Sequence, residues 1–103
     1  MQVREDVFIM NIVIIGAGKV GKKIAEQLTA EGHDIIVVDN DASRLNTLMN
    51  AQDVMCVLGN GAFYEVQKEA EVNHADVVIA AAPQDEVNML CCLLAKKLGA
   101  KRC

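Results

Sequence analysis

The stretch that most restricts the fold runs from Asn11 to Gly21, where Asn-Ile-Val-Ile-Ile passes without a break into Gly16-Ala-Gly-Lys-Val-Gly21. A short, β-branched run with no polar alternation reads as a strand covered on both faces. Such a strand needs a layer on each side, the arrangement of a parallel sheet between helices. The glycines then set how the chain leaves the strand. Gly16 permits a tight turn, Gly18 lets backbone come close to a bound group, and Gly21 lets the following helix pack against the strand.

The rest of the chain repeats this alternation. Val20, Ile24, Ala25 and Leu28 recur at helical spacing, and Gly32 supplies the stop. Residues 34–39 (Asp-Ile-Ile-Val-Val-Asp) predict a second buried strand, and Asp41 caps a helix through Leu45, Leu48 and Met49. Residues 53–58 predict a third strand ending in Gly59-Asn60-Gly61, followed by a helix through Tyr64, Val66 and Ala70. Residues 76–82 predict the fourth strand. Pro83-Gln84-Asp85 then opens a helix through Val87, Leu90, Leu94 and Leu98 that Gly99 ends, with Asp85 as its N-cap and Asn88 in its third position. The order β-α-β-α-β-α-β-α predicts an α/β fold, a Rossmann-type doubly wound parallel sheet. Sheets of this kind carry further strands, and Lys101-Arg102-Cys103 stands where one would begin, so the reading is a domain truncated after its fourth βα unit. Residues 1–9 read as an N-terminal extension ahead of Met10, the more natural start, and residues 10–103 as the domain itself.

Composition excludes several functions. With 103 residues there is room for one domain, and 52% hydrophobic residues with only 3% aromatics imply an aliphatic core. A net charge of −4 without any Lys/Arg run disfavours nucleic acid. No apolar stretch reaches the roughly 18–20 residues that cross a bilayer. No basic-then-apolar leader opens the chain. Cys56, Cys91, Cys92 and Cys103 form no CxxC pair, and neither His33 nor His74 lies at a ligand spacing from them. All four are expected to be ordinary thiols in a cytoplasmic protein, with no metal site. No nucleophile–base pair, Tyr-x-x-x-Lys dyad or second carboxylate cluster appears, so no catalytic residue is expected.

What the pattern does support is binding. The glycine turn directly follows a strand and opens a helix, whose N-terminus offers N–H groups and partial positive charge to a pyrophosphate. Asp39 ends the second strand at about the fingerprint's separation, where a carboxylate accepts from both ribose hydroxyls and repels a 2′-phosphate. With Asn40 beside it, this favours NAD(H) or an adenine nucleotide, ATP or ADP, over NADP. Lys19 either reaches phosphate oxygens or is a solvated first-turn lysine; the sequence leaves both open. Asn60 and Gly61, and Ala82 and Pro83 at the end of the fourth strand, fall on the same sheet edge, as binding segments or as plain loops.

The combination resembles the TrkA-N domain, also called RCK or KTN, of Trk/Ktr potassium-uptake systems. The resemblance rests on residues 11–21, residues 32–39 (Gly-His-Asp-Ile-Ile-Val-Val-Asp), residues 75–80 (Ala-Asp-Val-Val-Ile-Ala), Asp85-Glu-Val-Asn-Met-Leu90 and Leu94-Ala-Lys-Lys-Leu-Gly99. It implies a regulatory subunit rather than an enzyme. Such a subunit binds NAD(H) or ATP/ADP, assembles into a dimer or larger ring, and gates a membrane potassium channel from its cytoplasmic face. By position, Gly16, Ala17, Gly18, Lys19, Val20 and Gly21 would hold phosphates and Asp39 the ribose. Asn60-Gly61 and Ala82-Pro83 would line the adenine and sugar pocket. The alternative is the NAD-binding part of an oxidoreductase. Asn60 departs from the family, in which an acid often follows that glycine.

Overall fold

The computed structural model describes residues 2–4 and 7–103, with side chains from residue 8 onward. Of the segment read as an extension, residues 1, 5 and 6 lie outside the described residues. Its remainder supplies β1 (Gln2–Arg4) and β2 (Val7–Ile9), paired antiparallel with Gln2 opposite Ile9.

The main sheet consists of β3 (Asn11–Ile15), β4 (Asp34–Asp39), β5 (Met55–Leu58) and β6 (Val77–Ala80), all parallel, in the order β5-β4-β3-β6. The chain steps outward from β3 to β4 and β5, then crosses back to lay β6 on the other flank of β3. The neighbours of β3 therefore leave it in opposite directions, and that topology opens a crevice at the carboxyl ends of the strands.

Strand alternation divides the core in two. Ile12 and Ile14 of β3 join Ile35 and Val37 of β4 beneath Ala25 of α1 (Lys19–Ala30) and Leu45 and Leu48 of α2 (Ala42–Ala51). Val13 and Ile15 face the other way, with Val38, Val57 and Val78. Ala70, which ends α3 (Tyr64–Glu69), and Cys91 and Ala95 of α4 (Asp85–Leu98) cover that side. Both faces of every central strand are covered, so β-branched residues run unbroken and the doubly wound sheet expected from the sequence is present. Asp41 caps α2 as expected, accepting from the N–H groups of Ser43 and Arg44.

Differences from the sequence reading lie at element ends. The third strand starts at Met55, two residues late, because Gln52 and Asp53 close the end of α2 and Val54 N–H donates to Gln52 O at 3.0 Å. A 3-10 turn, Val72–His74, entered through Glu71 in left-handed conformation (φ 59°), was not expected. The N-cap of α4 is Gln84, so Asp85 and Glu86 fill its first turn, where helix-dipole attraction suits them.

A further correction concerns the cysteines. Gly99, with φ 114°, reverses the chain after α4. Lys101 N–H then donates to Ala75 O at 3.3 Å, and Val78 N–H to Arg102 O at 2.9 Å, so the last residues run along the outer edge of β6. This return brings Cys103 to a Cα–Cα distance of 5.5 Å from Cys92, and the two form a disulfide. Cys56 and Cys91 remain free, and burial pushes both thiols up from their ordinary pKa.

One buried carboxylate ties three segments together at the amino ends of the strands. Asp76, 4% exposed, accepts from Asn11 N–H through Oδ2 at 2.8 Å and meets Lys101 Nζ through Oδ1 at 3.2 Å. The Asn11 bond outweighs burial, which acts in the opposite sense, and with Lys101 it holds the Asp76 pKa at about 2, below the ordinary 3.8. A carboxylate depressed in the folded state stabilises fully above its unfolded pKa and loses that contribution as pH falls through the folded one. The urea midpoint is thus expected to drop between pH 3.8 and about 2, and Asp76→Asn should flatten that limb. An unchanged acid limb in the variant would remove Asp76 as its cause.

Candidate functional site

At the end of β3 the chain turns through Gly16 (φ 114°), whose N–H donates to Val38 O at 2.7 Å. A Cβ on Gly16 would lie 2.8 Å from Ala81 O, and one on Gly21 would lie 1.8 Å from Gly16 O. Both obstacles are backbone and cannot swing aside, so packing of the turn against α1 and the segment after β6 requires both glycines. Gly18 differs. Its φ of −73° is open to any residue, and an added Cβ would meet nothing within 4 Å. Neither strain nor crowding inside the protein explains a glycine there. Its bare Cα instead borders a cleft, as the N-cap of a helix with no side-chain cap and no acid in its first turn. Those first N–H groups and the positive dipole end suit an anion from outside the chain.

Asp39 faces the turn from the end of β4. Its Oδ1 accepts from Ala17 N–H and its Oδ2 from Asp41 N–H, both at 2.9 Å. The carboxylate thus fastens the glycine turn to the entry of α2. Each oxygen keeps further lone-pair capacity for a ribose hydroxyl. Beside it stands half-exposed Arg44, with Nη1 3.9 Å from Asp39 Oδ2 and Nε 3.7 Å from Asp41 Oδ2. Two carboxylates already share this cation, which limits what it offers a 2′-phosphate.

Two loops complete the walls. After β5, Asn60 Oδ1 accepts from Ala62 N–H at 2.9 Å, so its side chain shapes the loop as an Asx turn. After β6, Asn88 of α4 grips one residue from both sides. Ala82 N–H donates to its Oδ1 at 2.8 Å, and its Nδ2 donates to Ala82 O at 2.9 Å. Sequence reasoning placed Asn88 in a cap. It lies one residue further into the helix than expected and fixes the segment before Pro83.

The cleft between these parts measures about 760 Å³ and lies at the carboxyl ends of the strands. That is within the range of small-molecule sites, about 300–1,000 Å³. Every candidate named from the sequence lines it except Ala17 and Gly21: Gly16, Gly18, Lys19 and Val20 on one side, Asp39 and Asn40 on the next, then Asn60 and Gly61, then Ala82 and Pro83. Ala17 is buried with its N–H on Asp39, and Gly21 packs under Gly16. The sequence reading missed Arg44, Gln84, Val87 and Cys91, which also line the cleft. A second cleft of about 790 Å³ opens at the amino ends of the strands, near Thr29, His33, Asp53 and His74. Its lining includes neither the Gly16–Gly21 turn nor the N-terminus of an α-helix, so the chemistry favours the carboxyl end despite the similar volumes.

A doubly wound parallel sheet with a glycine turn at its switch point defines a Rossmann-type domain. Residues 12–103 match the family model of the TrkA-N domain, and the chain belongs to that family. The Trk system potassium uptake protein TrkA of Halomonas elongata is 45% identical over 89 residues, covering 86% of this chain and 20% of that protein. Among solved structures, Shewanella denitrificans Kef CTD in AMP-bound form matches with a TM-score of 0.73 at 20% identity, covering 84% of this chain and 52% of that one. The Bordetella bronchiseptica enzyme WbmG in complex with NAD matches with a TM-score of 0.72 at 22% identity, covering 92% and 36%. These two likenesses establish the fold. The chain spans about a fifth of the length of curated relatives such as the Halomonas protein, and those relatives are named as potassium uptake proteins, not enzymes. Among the described residues, no helix is long and apolar enough to cross a membrane.

The two kinds of glycine separate by stability. Gly21→Ala should cost at least about 2–3 kcal/mol, the scale of an overpacked core, whereas Gly18→Ala should stay within about 1 kcal/mol of the parent. Urea unfolding followed by circular dichroism measures both. Equal midpoints for the two variants would contradict the packing assignment.

Proposed function

We propose that this domain is the nucleotide-sensing part of a regulatory subunit that binds NAD(H) or ATP/ADP and gates a membrane potassium channel of Trk/Ktr type. The observation that carries the binding half is Gly18, a glycine that the protein's own packing does not require, at the open N-terminus of α1. Phosphates would sit there within reach of Lys19. The ribose would lie on Asp39, and the base and sugar between Asn60-Gly61 and Ala82-Pro83. These residues share one cleft of suitable volume. The AMP and NAD carried by two proteins of the same fold support an adenine-containing ligand.

The sensing half rests on the names of the relatives and on what the cleft offers chemically. Its one thiol, Cys91, is fully buried, and burial raises its pKa, which keeps it protonated and a poor nucleophile. A ligand held without reaction acts by differential affinity: it shifts the protein between states only as far as it binds one better than the other. Met89, Leu90 and Leu93 of α4 are all more than half exposed, an apolar strip that suits a protein neighbour, whether a second copy of this chain or the channel subunit. The subunit would work at the cytoplasmic face of the membrane.

Calorimetric titration of the purified chain with NADH, NAD, ATP, ADP and NADPH tests the binding. At least one of the first four should bind, with NADPH weaker. Gly18→Ala should lower the affinity at least about tenfold, or about 1.4 kcal/mol, while keeping the fold. A folded protein that binds none of them, or NADPH alone, would sink the assignment. The channel link is read from growth at limiting potassium after gene deletion, where normal growth counts against it.

A further inference from the structure

Among the described residues, Gln67 is the one polar side chain in the set of large, fully buried ones, at 0% exposure. It lies on α3, yet its amide bridges two other segments. Nε2 donates to Gly61 O at 2.8 Å and to Cys91 O at 3.0 Å, while the buried Oε1 has no hydrogen-bond partner. Gly61 and Cys91 both line the cleft, Gly61 on the loop after β5 and Cys91 on α4. Leaving a buried acceptor unpaired costs about as much as made hydrogen bonds contribute, so two bonds against one orphan come close to balance. An apolar side chain of similar size would remove that orphan but leave the buried Gly61 carbonyl without its donor. What the amide adds in either case is a tie between those two carbonyls, which no apolar side chain can make.

We propose that Gln67 is a positioning residue for the nucleotide. By bridging the Gly61 and Cys91 carbonyls it sets the spacing between the loop wall of the cleft and α4 without touching the ligand. The same helix holds the opposite wall through Asn88 and Ala82. One element thus carries both walls, and a ligand that alters their spacing acts on α4, whose outer face bears Met89, Leu90 and Leu93. The proposal rests on the nucleotide reading of the cleft.

The test compares ADP, which spans the cleft, with inorganic pyrophosphate, which reaches only the glycine turn. Both are titrated into the wild-type chain, Gln67→Leu and Gln67→Met, with thermal midpoints recorded for each. Both variants are expected to weaken ADP at least about fivefold with unchanged pyrophosphate affinity, even where loss of the Gly61 bond lowers the midpoint of a variant that stays folded. Wild-type ADP binding with unchanged ADP affinity in the variants overturns this proposal alone. So does equal weakening of both ligands with a lowered midpoint, which marks a merely structural role. A wild-type chain that binds neither ligand overturns the nucleotide reading and this proposal with it. Amide exchange on the wild-type chain gives a readout that needs no variant. ADP is expected to slow exchange in residues 59–63 and in residues 88–95 together, and protection of the loop without α4 speaks against the bridge.

Discussion

Helix α1 can leave β3 at its observed angle only because Gly21 carries no side chain. The backbone of its first turn rests directly on Gly16 O, at a separation that a single methyl group would close. Gly16 is in turn pressed against Ala81 O, so the strand end, the helix start and the segment after β6 form one contact. Much else follows from it. The N-terminus of α1 is directed across the carboxyl ends of the strands, Ala17 N–H is presented to Asp39, and the crevice left by the strand order becomes a cleft with a helix end in its wall. Hydrophobic burial supplies most of the free energy of folding, but it is non-directional and sets no angle. The angle comes from steric exclusion at two backbone atoms.

Around that contact, the cleft is closed by side chains bonded to backbone. Asp39 joins the glycine turn to the entry of α2, and Asn88 grips Ala82. Asn60 folds its own loop, and Gln67 bridges that loop to α4. Each bond is individually modest, about 0.5–1.5 kcal/mol for a neutral pair and about 1.5–3 kcal/mol where a carboxylate accepts. Their value lies in direction and place. Sheet hydrogen bonds hold the strands, whereas these hold the loops beyond the strand ends, where no ladder continues.

That division explains what was legible in the sequence. The strands at residues 11–15 and 34–39 were read with their observed ends, since each is an apolar β-branched run halted by glycine or by an acid. The order of elements and the alternating core followed from the same periodicity and the glycine spacing, and the TrkA-N family from the resemblance carried by residues 11–21, 32–39, 75–80, 85–90 and 94–99. The third strand came out short because Gln52 caps α2 and Val54 N–H turns back to Gln52 O, and the fourth because its pairing with β3 ends at Ala80 opposite Ile15, beyond which Ala82 bonds to Asn88. Arg44 reads as a surface residue of an amphipathic helix and Gln67 as a polar position in a short one. Arg44 has a local partner in Asp41, but the contacts with Asp39 and with the Gly61 and Cys91 carbonyls arise only in the folded chain. The Cys92–Cys103 disulfide is of the same kind: the reversal at Gly99 creates its proximity, and a spacing of eleven residues does not signal it.

The two ways of building the walls bear on what the cleft can do. A site that must hold reacting atoms gains from being fixed by many interlocking contacts. A sensor needs two arrangements separated by a free energy that its ligand can overcome, and coupling between sites is typically about 1–3 kcal/mol. That is the scale of one or two of the side-chain bonds at Asn88 or Gln67, and far below the cost of rearranging the sheet. The glycine turn belongs to the rigid part, because its contacts are backbone against backbone. The loop at Asn60 and the segment at Ala82 are attached to α4 by side-chain amides. A nucleotide anchored by its phosphates on the rigid turn and by its base between the side-chain-held walls would therefore spend its differential affinity on the walls, and α4 is where that displacement would arrive.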